Sequence, residues 1–192
     1  MDVRAKHLLF KNLRGKFYVA RSWFRPTSSQ PLGGFVLHLK HCIILVMKII
    51  KRPAEVSDME FARTVHHRAY RDVVSAQYGT WNEKAQDEFF ANDWCAATHQ
   101  IVVCDDAVCG YICVENREED IHIREIVIDP KFQGKGLGTS LLREIIEDAE
   151  ARQVPVRLGT QQANRAVNLY RKLGFREFER TTTHILMEWR SA

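Results

Sequence analysis

Gln133-Gly134-Lys135-Gly136-Leu137-Gly138-Thr139 is the stretch on which the fold turns. It follows the β-branched run Ile126-Val127-Ile128 and precedes apolar positions at helical spacing: Leu141, Leu142, Ile145, Ile146 and Ala149. The order is therefore strand, glycine loop, helix. Glycines at every second position leave backbone N–H groups open to approach. The positive end of the following helix points into the same space, which makes a site for a phosphate or pyrophosphate. A Walker loop is excluded, because Lys135 is followed by Gly136 rather than Ser or Thr. A dinucleotide fingerprint read from Gly134 fails at Thr139, where a third glycine is required. What remains is Gln-x-x-Gly-x-Gly, carried by Gln133, Gly136 and Gly138. A plain turn without a ligand needs one glycine rather than three.

A second stretch lies one helix and one strand further on: Asn164-Arg165-Ala166-Val167-Asn168-Leu169-Tyr170-Arg171-Lys172-Leu173-Gly174-Phe175. Ala166, Leu169, Tyr170 and Leu173 share one helical face, and Gly174 suits the left-handed position after a helix. The two stretches together resemble the GNAT superfamily of N-acetyltransferases. The first is similar to its acetyl-CoA pyrophosphate loop and the second to its Asn, Ala, Leu-Tyr-x-Lys-x-Gly-Phe signature. The resemblance runs over roughly 47–189, about three quarters of the chain.

The periodicity agrees with that fold. Strands are expected at 47–52, 100–104, 108–115, 121–128, 156–160, 176–180 and 184–189. Capping boxes at Ser57-Asp58-Met59-Glu60 and Thr80-Trp81-Asn82-Glu83 predict helices to about 74 and 94. The element order is β-α-α-β-β-β-α-β-α-β-β. It describes a single α/β domain over 47–192, a mixed, mostly antiparallel sheet flanked by helices.

Residues 1–46 look different. Over 1–54 there are eleven Lys/Arg against a single acid, Asp2, a net +10; over 55–192 there are 17 against 23, a net −6. The basic character thus belongs to an N-terminal extension. Such a segment suits a translated stretch that does not fold, a targeting segment or an accessory element, and 26–34 reads as a turn-rich linker. The acidic domain argues against nucleic acid as a partner. The longest apolar run, 35–50, is broken by His38, Lys40, His41 and Lys48, so no membrane span is expected. The five cysteines (42, 95, 104, 109, 113) are odd in number and include no Cys-x-x-Cys pair, and no histidine at ligand spacing completes a site with Cys104, Cys109 and Cys113. They read as small buried hydrophobes of a reducing, cytoplasmic protein, with no metal.

The resemblance implies acetyl-CoA as co-substrate and an amine of a small molecule or peptide as acceptor, joined by direct attack. It implies coenzyme contacts from Ile126, Val127 and Ile128, from Gln133, Gly134, Lys135, Gly136, Leu137, Gly138 and Thr139, and from Asn164 and Lys172. Tyr170 would be the acid toward the leaving thiolate. For the base, strict strand alternation puts His122, Arg124 and Ile126 on one face and Ile123, Glu125 and Val127 on the other. Glu125 is an acid in an apolar run, where burial is costly unless it is paired or protonated. It could be the base or a partner of Arg157. His122 titrates in a useful range and is the other candidate. His184 could face the acceptor, and Trp81, Phe89, Phe90 and Trp94 could line an acceptor pocket or form core. A sensor that binds the coenzyme without catalysis, a transferase of another acyl group, and a homodimer all remain open at this point.

Overall fold

The computed structural model describes residues 7–11, 17–21 and 48–191. It falls into two compact units, Met1–Lys48 and Ile49–Ala192. In the first, β1 (His7–Lys11) pairs antiparallel with β2 (Phe17–Arg21). The sequence reading placed no strand there. The linker expected at 26–34, and Met47, lie outside the described residues.

The second unit runs β3 (Ile49–Pro53), α1 (Met59–Tyr78), α2 (Glu83–Asp93), β4 (His99–Cys104), β5 (Ala107–Asn116), β6 (Ile121–Ile128), α3 (Leu137–Arg152), β7 (Val156–Gln161), α4 (Val167–Lys172), β8 (Arg176–Arg180) and β9 (His184–Trp189). The seven strands form one sheet in the order β3-β4-β5-β6-β7-β9-β8. Every pair is antiparallel except β6 and β7. No helix among the described residues is long and apolar enough to cross a membrane.

Each face of the sheet is covered by the apolar stripe of a helix. Leu141, Leu142, Ile145 and Ala149 of α3 are buried, at the spacing of one helical face. Across the sheet, Ala62 and Val65 of α1 and Phe90 of α2 close a core with Ile101, Tyr111 and Val127.

The helix starts differ from the predicted boxes. Ahead of α1, a short turn is capped by Glu55 and Asp58, whose side chain accepts the Glu55 N–H at 2.8 Å. Arg52 grips the same carboxylate through two 2.7 Å bonds. Ser57 only reaches Glu55, and Glu60 pairs with Arg63. α1 runs one turn beyond the expected 74, and Gly79 at φ 80° ends it. At α2 the cap is Asn82, which accepts the Ala85 N–H, not Thr80. Asparagine is the stronger cap, and its amide oxygen leaves Glu83 free to bind His67, Arg71 and Trp81.

Two irregularities shape the middle of the sheet. Between β5 and β6 the register shifts, so that Val114 faces Ile123, Cys113 faces Glu125 and Arg124 has no partner opposite. The bulge inverts the alternation. Glu115 and Cys113 lie on one face of β5, so their partners His122 and Glu125 share a face. That corrects the strict alternation expected from sequence. Between β6 and β7 the parallel pairing covers only 121–123 against 156–158. Beyond it β6 stays with β5 and β7 stays with β9, and the sheet opens into a cleft.

The β6 end of that cleft rests on Gly110. A Cβ at this position would stand 2.1 Å from the Val127 carbonyl oxygen, which is backbone and has nowhere to go. Gly110→Ala is expected to cost about 2–3 kcal/mol, as overpacking does. That corresponds to a fall in melting temperature of roughly 5–10 °C for a domain of this size. An unchanged calorimetric midpoint would mean that β5 and β6 can part here without penalty.

Candidate active site

A cavity of about 760 Å³ fills the cleft. Its walls come from α1 (Arg68, Tyr70, Val73), the end of β6 (Ile126, Val127, Ile128), the glycine loop (Gln133, Gly134), the start of α3 (Leu137, Gly138), the β7–α4 connection (Asn164, Arg165) and Tyr170 of α4. Most of the residues expected at the coenzyme therefore converge. Lys135, Gly136 and Thr139 belong to the same loop but stand outside the lining. The Lys135 ammonium sits 5.1 Å from the centre of the Phe132 ring. Lys172 is exposed at the end of α4 and does not reach the cavity.

The loop has the backbone form of an anion cradle. Gly134 and Gly136 take φ of 73° and 90°, left-handed values that favour glycine. Gly136 is the residue that opens α3, and the first helical bond runs from the Ser140 N–H to its carbonyl. The N–H groups of Leu137, Gly138 and Thr139 consequently have no partner inside the helix. Gln133 holds the loop to β6 by donating to the Ile128 carbonyl at 2.7 Å. Its amide oxygen accepts from Arg165. Arg165 and Arg68, neither of them singled out from sequence, add positive charge to the cavity wall, with Arg68 3.3 Å from the buried Asp129. Asn164 donates to Thr160 and accepts the Ala166 N–H at 2.9 Å, so it orders the turn into α4.

Tyr170 faces the cavity with its ring near Phe175, and burial pushes its phenol up to about 12. It is a proton donor at any ordinary pH. Tyr70 also lines the cavity, and its phenol is raised by burial and by the charges of Glu125 and Tyr170.

Glu125 lies on the α1 face beside Ile126 and is itself outside the cavity lining. Its carboxylate is enclosed: His99 Nε2 is 3.4 Å away and His66 Nδ1 3.9 Å away. The Tyr111 hydroxyl lies 3.0 Å from His66 Nδ1, and its phenol is raised by burial and by the charge of Glu125. Burial holds His66 below its ordinary range, partly offset by Glu125. Phe90 and Trp94 stack at 5.5 Å, and Trp94 lies 4.6 Å from His99, so both aromatic rings roof this cluster. The alternative partner, Arg157, is engaged elsewhere, with Glu188 at 2.8 Å and Asp120 at 3.2 Å. His122 lies on the same face as Glu125 but at the far end of β6. It sits about 20 Å from Ile128 at the strand's rise of about 3.3 Å per residue, and burial lowers its pKa. Trp81 packs on His67 and Arg71, Phe89 is 65% exposed, and His184 bonds Thr183. None of these three is part of the lining. No group of three or more metal-binding side chains occurs among the described residues.

The histidines and Tyr111 around Glu125 were missed from sequence. His66 and Tyr70 are spaced four apart on α1, a recoverable signal. His99 opens a strand and Tyr111 sits inside another, where spacing says nothing about what they meet.

Residues 66–175 match the model of the Acetyltransferase (GNAT) family. An uncharacterized N-acetyltransferase of Methanocaldococcus jannaschii is 34% identical over 106 residues, 53% of this chain and 45% of that protein. The [ribosomal protein bS18]-alanine N-acetyltransferase of Salmonella typhimurium is 31% identical over 99 residues, 50% of this chain and 65% of that protein. The chain thus spans about half to two thirds of the length of these relatives. Among solved structures, the PaiA N-acetyltransferase of Thermoplasma acidophilum, in complex with coenzyme A, superposes with a TM-score of 0.62 at 16% identity. It covers 75% of this chain and 99% of its own. The ribosomal-protein-S18-alanine N-acetyltransferase of Escherichia coli gives 0.53 at 23% identity, covering 74% and 94%.

Proposed function

Because the chain belongs to the Acetyltransferase (GNAT) family, we propose that it is an N-acetyltransferase that moves an acetyl group from acetyl-CoA to a primary amine by direct attack. One observation carries this reading: the glycine loop at the α3 N-terminus, the freed edge of β6 and the Tyr170 phenol all open onto one cavity. The residues fit the coenzyme. The N–H groups at the start of α3, with Arg68 and Arg165, suit a pyrophosphate. The part of β6 beyond its pairing with β7 offers backbone donors and acceptors to an extended amide chain. When bound, the thioester supplies the activated acetyl group.

The protein's own residues then handle protons and position. Tyr170 donates its phenolic proton to the sulfur as the carbon–sulfur bond breaks. Glu125 takes the proton that the amine sheds as the new carbon–nitrogen bond forms. His122 is too far along β6 for either task. A backbone N–H of β6 can stabilise the developing oxyanion. Relatives are named as a [ribosomal protein bS18]-alanine N-acetyltransferase, an N-acetylaspartate synthetase and a glucosamine 6-phosphate N-acetyltransferase. The acceptor class here is correspondingly a primary amine.

The test is thiol release from acetyl-CoA in the presence of a panel of amino acids, amino sugars and peptides. Release that depends on one acceptor class is the expected result. Tight coenzyme binding with no release from any member would instead favour a sensor, and no coenzyme binding would remove the reading altogether.

A further inference from the structure

We infer that Tyr70 is an acceptor-binding residue that sets the acceptor class: its hydroxyl donates to an oxygen on the carbon next to the amine-bearing one. The protein then takes α-amino carbonyls or vicinal amino alcohols in preference to plain alkylamines. The inference rests on the function proposed above and narrows its acceptor.

Tyr70 reaches the cavity from α1. Its ring lies 4.5 Å from that of His66, whose Nδ1 is 3.9 Å from the Glu125 carboxylate. It also packs against the core cluster that holds Tyr111 and Val127. Glu125 and Tyr170 both act on its phenol. Tyr70 thus stands where the proposed acid, the proposed base and the edge of β6 converge. What its hydroxyl touches lies close to the reacting nitrogen.

The hydroxyl has no job inside the protein. No group among the described residues hydrogen-bonds it, and burial keeps the phenol protonated and so a donor. It is not sealed in the core either, so it opens on the cavity. A phenylalanine would stack on His66 equally well, and a phenol in such surroundings ordinarily finds a partner. The other neutral donors of the lining are committed. Gln133 donates to the Ile128 carbonyl, Asn164 to Thr160, and Tyr170 serves the departing sulfur in the proposed reaction. Along α1, Arg68 is held by Asp129 and Asp72 is exposed to solvent, while Ala69, Val73 and Ala76 are small and apolar. The Tyr70 phenol is the polar handle of that wall.

Discrimination follows from exchange. Water meets an open hydroxyl at little cost. An acceptor with a suitably placed oxygen replaces that bond. An alkylamine of the same size displaces the water and offers nothing, which leaves a donor unpaired in apolar surroundings. Such a mismatch is worth about tenfold or more in kcat/KM.

Alaninol, alaninamide and sec-butylamine, three primary amines of similar shape, test this with the full chain and saturating acetyl-CoA. Thiol release by the wild-type protein should favour the first two over sec-butylamine in kcat/KM. Tyr70→Phe should lower that preference by about tenfold. Comparing the two proteins cancels the amines' own basicities. Structural damage would slow all three alike, so the ratio reports the hydroxyl alone. Coenzyme affinity and melting temperature should match the wild type, because the ring keeps its place on His66. A fall confined to alaninamide would mark a carbonyl as the bound group, and one confined to alaninol a hydroxyl. A preference that Tyr70→Phe leaves in place, or no preference in the wild type, overturns the inference and leaves the proposed function standing. Release with none of the three and with no member of the wider panel overturns both.

Discussion

Gly138→Asp is expected to abolish acetyl-CoA binding while the melting temperature stays where it was. Gly138 is the second residue of α3, and a Cβ there meets only Leu169 at 3.4 Å and Ile128 at 3.6 Å, ordinary contact distances. A carboxylate in the first turn of a helix is even mildly favourable to the helix. It also stands where the proposed pyrophosphate must lie. Two like charges about 4 Å apart repel by about 4 kcal/mol at an effective dielectric of about 20. Solvent at the mouth lowers that, which leaves an expected loss of at least about 100-fold in affinity. Gly138→Asn has the same shape without the charge and should lose far less. Calorimetric titration of both variants is decisive, and equal affinities would show that no anion docks on this loop. Gly136 is a poorer place to test the idea, because its φ of 90° would strain any side chain and confound binding with folding.

Tyr170→Phe should lower kcat by roughly 10²-fold, the low end for general acid catalysis, with the coenzyme affinity nearly unchanged. The ring keeps its place against Phe175 and only the donor is lost. The pH dependence sharpens the point. Burial raises the phenol to about 12, so the donating, protonated form persists up to that pH. An alkaline decline of the wild-type rate below about pH 11 is therefore not expected from Tyr170. A decline near 10 that disappears in Tyr170→Phe would show that the phenol is not buried during turnover. A variant with the wild-type kcat would mean that solvent protonates the thiolate.

What the sequence disclosed and what it concealed divide along physical lines. The strand–loop–helix order around Gly136 is local, written in β-branched residues, glycines and a helical stripe, and it held to within a few residues. The seven strands from β3 to β9 were all anticipated in order. The bulge at Arg124 was not, because a bulge belongs to a pair of strands. Nothing in Ile123-Arg124-Glu125-Ile126 says that Cys113 and Val114 will be opposed by three residues. That one missing fact reversed the face assigned to His122. The partner of Glu125 was hidden for a related reason. His99 lies 26 positions earlier and meets it across β5, a contact set by sheet topology. The caps were misplaced by one or two residues because Ser, Thr, Asp, Asn and Glu all fit an N-terminal pattern. Only the tertiary demand of Arg52 on Asp58, or of His67 on Glu83, chooses among them.

The three-residue parallel pairing of β6 with β7 makes the sheet two half-sheets, β3 to β6 and β7 with β9 and β8, joined by a short seam. Below the seam the backbone groups of β6 that face the cleft lack a neighbouring strand, and the proposed coenzyme would in effect serve as the missing one. Everything it would offer that edge, the amides of its arm and its phosphates, survives the loss of an acetyl group. Substrate and spent coenzyme would therefore complete the sheet equally well, and the protein would discriminate poorly between them. Its turnover would then be governed by how readily it lets the borrowed strand go, and by the ratio of charged to discharged coenzyme around it.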